Sequence, residues 1–245
     1  MSVSSGYERA WEGFWQDAPY ETGGVFWDAD PSLTAERHLP HFAAYFDPGL
    51  PLVDLGCGNG TQTRFLAGHY ARVVGVDLAH AAVERARRDD PHGLAEYRRV
   101  DAVDTAEVAG LHDDLGDVNV YMRGVLHQCE PADRPALVRS IAALTGERGR
   151  VFTVELAEAA KGVLGALAQA PGGPPVKLRA VFAHGIAPGE VADAAVPGYF
   201  ADAGLALLAQ GEQPLATTEF TADGARIEVP SNWLVAGRAG AGFEA

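Results

Sequence analysis

The sequence predicts an α/β fold: a mostly parallel, doubly wound sheet that ends in a C-terminal antiparallel hairpin and follows an aromatic-rich N-terminal helical cap. Three observations carry that class. Between residues 51 and 157, short apolar runs rich in β-branched residues alternate with helical patterns. Near-continuous apolar strands of this kind belong to sheets covered on both faces. A dense aromatic set precedes the first of them, and Asp223-Gly224 joins two long strand-like runs near the C-terminus, a hairpin signal.

In chain order, Tyr7, Trp11, Phe14 and Trp15 recur at i, i+4, i+7 and i+8, the spacing of one face of an amphipathic helix. Tyr20, Phe26, Trp27, Phe42, Tyr45 and Phe46 continue the aromatic set. His38 and His41 read as surface histidines on a helix kinked at Pro40. Pro31 and the stretch 47–51 (DPGLP) mark seams between a cap, residues 1–50, and a core, residues 51–245. Strands are expected at 51–56, 71–78, 96–103, 117–124 and 149–157, and helices at 61–68, 79–88 and 131–146. Residues 158–196 break the alternation as an insertion, with turn-rich stretches at 171–175 and 184–190. A helix at 198–205 and the two strands of the hairpin complete the chain.

The 245 residues suffice for a sizeable core. Nineteen Lys plus Arg against 33 Asp plus Glu leave a net charge of −14. Such a chain lacks the cationic footprint of a duplex-binding or membrane-surface protein, so neither nucleic acid nor membrane is expected as a partner. The two cysteines, Cys57 and Cys129, make neither a disulfide framework nor a zinc cluster. No signal-peptide core opens the chain, and no run approaches ~18 apolar residues. The expectation is a cytoplasmic protein acting on a small molecule, compatible with a homodimer.

The sharpest chemical signal is Val53-Asp54-Leu55-Gly56-Cys57-Gly58-Asn59-Gly60-Thr61, where the first strand meets the first helix. Glycines at 56, 58 and 60 allow a tight turn and close approach of a ligand to the backbone. The helix start behind them offers free N–H groups to an anionic group. Asp77 closes the second strand about 20 residues on, where a carboxylate can accept from both hydroxyls of a ribose. Asp101 closes the third, where it could accept from an exocyclic amine. All three lie at the carboxyl ends of adjacent strands, where open α/β sheets bind ligands.

The segments VDLGCGNGTQT, VVGVDLA and RRVDAVD, at these spacings, resemble the class I S-adenosylmethionine-dependent methyltransferases, and DVNVYMRGVLHQCEPADR fits the family's fourth-strand region. The likeness covers residues 51 to about 157, and the tail hairpin fits the family's seven-stranded sheet with one antiparallel strand. The resemblance implies S-adenosylmethionine as cofactor. It implies that Gly56, Gly58 and Gly60, with Cys57 and Asn59 between them, cradle the methionine portion, with Asp54 anchoring its amino group. Asp77 would hold the ribose, Leu78 would lie against adenine, and Asp101, beside Ala102, would accept from the adenine amine. No metal site is expected, because the acidic trio of the catechol-type relatives has no counterpart after the fourth strand.

For methyl transfer, His127, just past the fourth strand, is a candidate base; a structural role is the alternative. Glu155, at the end of the fifth strand, is a second candidate, or a partner for a backbone N–H. Arg123 could bind a substrate carboxylate bidentately or pair with a local acid. Tyr7, Trp11, Tyr20 and Trp27 are candidates for a lid over the ligand, with His184 in the insertion as a further substrate-side residue or a solvated one. Cys129 reads as a small filler. Small-molecule methylation at oxygen, nitrogen, sulfur or carbon is the leading expectation. Its alternatives are a S-adenosylmethionine-using enzyme that cyclises or cleaves the molecule to methylthioadenosine or uses it as a bystander, and a non-catalytic binding module.

Overall fold

The computed structural model describes residues 4–170 and 172–239. Pro171 of the turn-rich stretch lies outside the described residues, as do the ends of the 1–50 and 51–245 segments. A seven-stranded sheet forms the centre, in the order β3-β2-β1-β4-β5-β9-β6. The strands are β1 (Leu52–Leu55), β2 (Val73–Asp77), β3 (Glu96–Arg99), β4 (Asn119–Arg123), β5 (Arg150–Leu156), β6 (Ala206–Glu212) and β9 (Ser231–Gly237). The first five pair in parallel, and β9 runs antiparallel to both β5 and β6. The order steps outward from β1 through β2 to β3, then restarts on the other side of β1 with β4. The ends of β1 and β4 therefore flank a topological switch point, the crevice where such sheets take ligands.

Strand alternation divides the interior. Val53, Val120 and Met122 face one layer with Leu137 and Ile141 of α6 (Arg134–Thr145) and Phe200 of α9 (Ala195–Asp202). Leu52, Tyr121 and Phe152 face the other, with Phe42 of α2 (Ala35–Phe42) and Leu66 of α3 (Thr61–Leu66). α4 (His80–Asp89) follows β2, and α1 (Ser4–Asp17) packs Phe14 and Trp15 on its Ala79–Ala82 end.

Four expectations need correction. The two long C-terminal runs each divide: Pro214 separates β6 from β7 (Leu215–Phe220), and Pro230 separates β8 (Arg226–Val229) from β9. Proline supplies no ladder N–H, so the distal half of the hairpin leaves the sheet as a two-stranded ribbon, β7-β8. The third strand ends at Arg99, and an unanticipated helix, α5 (Thr105–Leu115), follows it. Its start is written in Asp104, whose side chain accepts from the N–H groups of Ala106 and Glu107. The insertion is also helical, as α7 (Ala160–Ala168) and α8 (Val176–Ala183). Finally, His38 is no surface residue. It is 1% exposed, bonds through Nδ1 to the Tyr121 hydroxyl at 2.8 Å, and is driven down to about 3 by burial. His41 stacks on Trp233 at 4.4 Å.

Candidate functional site

The glycine loop after β1 forms the floor of a cavity of about 210 Å³ at the switch point. Gly56 and Gly58 hold φ of +78° and +55°, a region that L side chains avoid. Space excludes a side chain too: a Cβ on Gly56 would lie 2.4 Å from Val125, and one on Gly58 2.7 Å from Trp15. The N–H groups of Gly56 and Cys57 both donate to the Val76 carbonyl, which locks the turn to β2.

Asp77, at the end of β2, lines the cavity. Its Oδ2 accepts the Gly58 N–H at 2.9 Å and its Oδ1 the Ala79 N–H at 2.9 Å. Each carboxylate oxygen can accept more than one bond, so Asp77 braces the loop and retains acceptor capacity. Burial pushes it up to about 6. Leu78, Asp101, Ala102 and Val103 continue this wall. Asp101 accepts the Val103 N–H at 2.9 Å, and desolvation raises it above the usual carboxylate range.

The opposite wall comes from the chain after β4. Glu155, 2% exposed at the end of β5, gathers that turn. Its Oε1 accepts from the N–H groups of Val125 and Leu126, and its Oε2 from the His127 N–H and from His127 Nδ1 at 2.7 Å. A carboxylate can only accept, so Nδ1 carries a hydrogen, and in the neutral ring Nε2 is the nitrogen that accepts. His127 lines the cavity, and Nε2 bonds to no described residue. The pair is an imidazole with a fixed tautomer and a basic nitrogen left for a ligand.

The cap and the insertion roof the site. Tyr7, Trp11, Trp15, Phe26 and Trp27 line it from the N-terminal side, with Trp11 edge-on to Tyr7 at 6.2 Å and to Trp27 at 5.4 Å. Leu164 of α7, Leu178 and Val181 of α8, and Leu215 and Val229 of the ribbon add an apolar end. Arg123 lines the cavity from the end of β4 and donates to the Trp27 carbonyl at 3.0 Å.

Of the sequence candidates, Gly56, Cys57, Gly58, Asn59, Asp77, Leu78, Asp101, Ala102, Arg123, His127, Tyr7, Trp11 and Trp27 converge on this cavity. The others stand apart. Asp54 sits behind the loop, accepting from the Thr63 hydroxyl at 2.6 Å, and burial pushes it up to about 6. Gly60 is the left-handed residue that starts α3. Tyr20 is 67% exposed, with Arg85 and Arg88 over its ring. His184 abuts the edge of Phe14 and lies 3.3 Å from Asp17. Asn59 reaches the cavity while bonded through Nδ2 to Asp28 at 2.7 Å. Sequence reasoning missed Trp15 and Asp28, together with the leucines of the insertion and the ribbon. Trp15 was detectable as the i+8 member of the aromatic face; the others carry no local signal. Among the described residues, no three His, Cys, Asp or Glu side chains gather as metal ligands, and no helix is long and apolar enough to cross a membrane.

Comparison with known proteins places this geometry. A family model described as a methyltransferase domain matches residues 52–149. A solved S-adenosylmethionine-dependent methyltransferase from Anabaena variabilis is 30% identical, with a TM-score of 0.88, covering 98% of this chain and 96% of its own. The ubiquinone biosynthesis O-methyltransferase of Bordetella pertussis is 36% identical over 106 residues, 42% of each chain. The N-demethylindolmycin N-methyltransferase of Streptomyces griseus is 30% identical over 86 residues, 35% of this chain and 36% of that one. The chain thus spans less than half the length of these curated relatives.

Proposed function

This chain belongs to the S-adenosylmethionine-dependent methyltransferase family, and we propose that it methylates a small, largely apolar acceptor whose proton His127 removes. The observation that carries this reading is His127, held from behind by Glu155 and lining the cavity that the glycine loop also lines.

The residues present fit S-adenosylmethionine. The loop at Gly56 and Gly58 lines the cavity, and its left-handed backbone at both positions keeps that stretch free of side chains. Asp77 would hold the ribose hydroxyls, Asp101 would accept from the adenine amine, and Leu78 and Ala102 would flank the base, all four lining the cavity. When bound, S-adenosylmethionine supplies an electrophilic methyl group on a sulfonium. The chain's own part is to place the nucleophile in line, take its proton and exclude water. Nε2 of His127 takes the proton, and Glu155 acts as a positioning residue that fixes the tautomer and balances the imidazolium. Trp11, Trp27 and Tyr7 close the cap side, an aromatic surrounding of the kind that favours a cationic centre. The apolar end formed by α7, α8 and the ribbon takes the body of the acceptor. The curated relatives are an O- and an N-methyltransferase by name; a fixed base serves a hydroxyl or an amine acceptor.

Incubation with methyl-labelled S-adenosylmethionine and a panel of phenols, amines, thiols and carboxylic acids tests this reading. The expected outcome is a labelled product with S-adenosylhomocysteine in equal amount. Failure across the whole panel counts against it.

A pH dependence follows from Asp77, raised by burial to about 6. Only the carboxylate accepts from both ribose hydroxyls. Affinity for S-adenosylmethionine is therefore expected to be flat above pH 6 and to fall about tenfold per pH unit below it. Calorimetric titrations between pH 5 and 8 read this directly, and an affinity that rises on acidification would contradict the assignment.

A further inference from the structure

Arg123 stands out among the cations of this acidic chain. Arg72, Arg98 and Arg99 are spent on exposed ion pairs with Glu96, Asp114, Glu107 and Glu8. Arg123 instead ends β4 inside the cavity wall, and no carboxylate of the described residues forms an ion pair with it. Among the described residues its one hydrogen bond is from Nη1 to the Trp27 carbonyl. A guanidinium has five N–H donors in a planar fork shaped for a carboxylate, so most of its capacity is unused. Buried Asp54 feels the charge of Arg123 but bonds to Thr63 and forms no ion pair with the guanidinium, and a half-buried cation without a paired anion is costly until one reaches it.

The tether to Trp27 sets which part of the cavity the fork serves. Trp27 packs on the cluster formed by Phe26, Leu178 and Val229, the apolar end roofed by α8 and the ribbon. His127 follows four positions after Arg123 along the same edge. We infer that Arg123 is an anion-binding subsite and that the acceptor carries a carboxylate held by this fork, with its hydrophobic body against Leu178, Leu215 and Val229. This deepens the methyltransferase reading and rests on it. The subsite makes Arg123 a specificity determinant: it selects acidic apolar acceptors and orients their reacting atom toward His127 Nε2. The methionine portion of S-adenosylmethionine is a second source of carboxylate, so the test separates the two.

The experiment is calorimetric titration of the intact protein with 3-phenylpropanoate and with its amide, 3-phenylpropanamide, with and without saturating S-adenosylhomocysteine. The wild type is expected to prefer the carboxylate by at least about tenfold, the range of a charge-assisted pair of hydrogen bonds. Arg123→Met is expected to abolish the preference, and Arg123→Lys to retain part of it, with affinity for S-adenosylhomocysteine within about threefold of wild type in both. Thermal melts identify any variant that fails to fold, and the wild-type comparison of the two probes needs no variant. Equal binding of the two probes by the wild type, or binding of neither, overturns the inference. So does a loss of about tenfold or more in S-adenosylhomocysteine affinity in Arg123→Met with the probe preference intact, which would assign the fork to the methionine carboxylate. Failure of S-adenosylhomocysteine to bind the wild type would instead count against the methyltransferase reading.

Discussion

Asp77→Ala is expected to weaken S-adenosylmethionine binding by about a hundredfold or more while leaving the protein folded. Hydrogen bonds to a charged acceptor contribute about 1.5–3 kcal/mol each, and two ribose hydroxyls lose theirs together, which amounts to two or more decades in Kd. The substitution also frees the Gly58 N–H, which Asp77 now holds at 2.9 Å, so the loop loses its brace as well as its ribose anchor. Folding should survive because the carboxylate is a burden on the ligand-free protein. Burial raises it from 3.8 to about 6, so between those values the folded state holds a proton that the unfolded chain has released. Stability therefore falls as pH rises through that window and stays lowered above it. Asp54, raised likewise to about 6, acts in the same sense. Calorimetry with S-adenosylhomocysteine, paired with a thermal melt, reads both effects; unchanged affinity would remove Asp77 from the ribose.

His127→Ala is expected to lower turnover by about a hundred- to ten-thousandfold, the usual contribution of a positioned base, with cofactor affinity within about threefold. His127 is 6% exposed, and a purely structural histidine would show its loss in stability and in cofactor binding instead. Glu155→Gln sharpens the distinction. An amide group facing Nδ1 would turn that nitrogen into an acceptor and protonate Nε2, so turnover should fall with the ring still in place. Because Glu155 also accepts the N–H groups of Val125, Leu126 and His127, this variant should also melt at a lower temperature. Turnover in Glu155→Gln equal to wild type would contradict the tautomer argument.

The core of the sheet was legible because its signals are local. Leu52, Val53 and Leu55, then Val73, Val74 and Val76, are buried where their apolar runs require it, and Gly56 and Gly58 take the left-handed conformations that the glycine spacing anticipates. Asp77 is the last residue of β2 and Asp101 lies two residues past the end of β3, so counting along the chain comes close to both. The cap side of the roof was legible in Tyr7, Trp11 and Trp27, but the side built by the insertion and the ribbon was not. Pro214 and Pro230 lie far apart in sequence, and only their pairing across the hairpin makes them break it at one level and turn β7 and β8 over the cavity. α7 and α8 are short, bounded by Gly- and Pro-rich turns, and bury few residues of their own, so periodicity has little to work on. His38 was misread for the same reason: its partner Tyr121 is 83 positions away. Glu155 was weighed as a partner for a backbone N–H, yet its hold on the whole 125–127 turn and on His127 becomes visible only when β4 and β5 lie side by side.

The most direct test of the central claim is mass spectrometry of S-adenosylmethionine incubated with the pure protein, first alone and then with an acidic apolar acceptor bearing a hydroxyl or amine. The account predicts intact S-adenosylmethionine in the first incubation. In the second it predicts S-adenosylhomocysteine with an equal amount of methylated product, both reduced at least about a hundredfold in rate by His127→Ala. Methylthioadenosine released without any acceptor would contradict it, assigning the cavity to cleavage or cyclisation of S-adenosylmethionine itself.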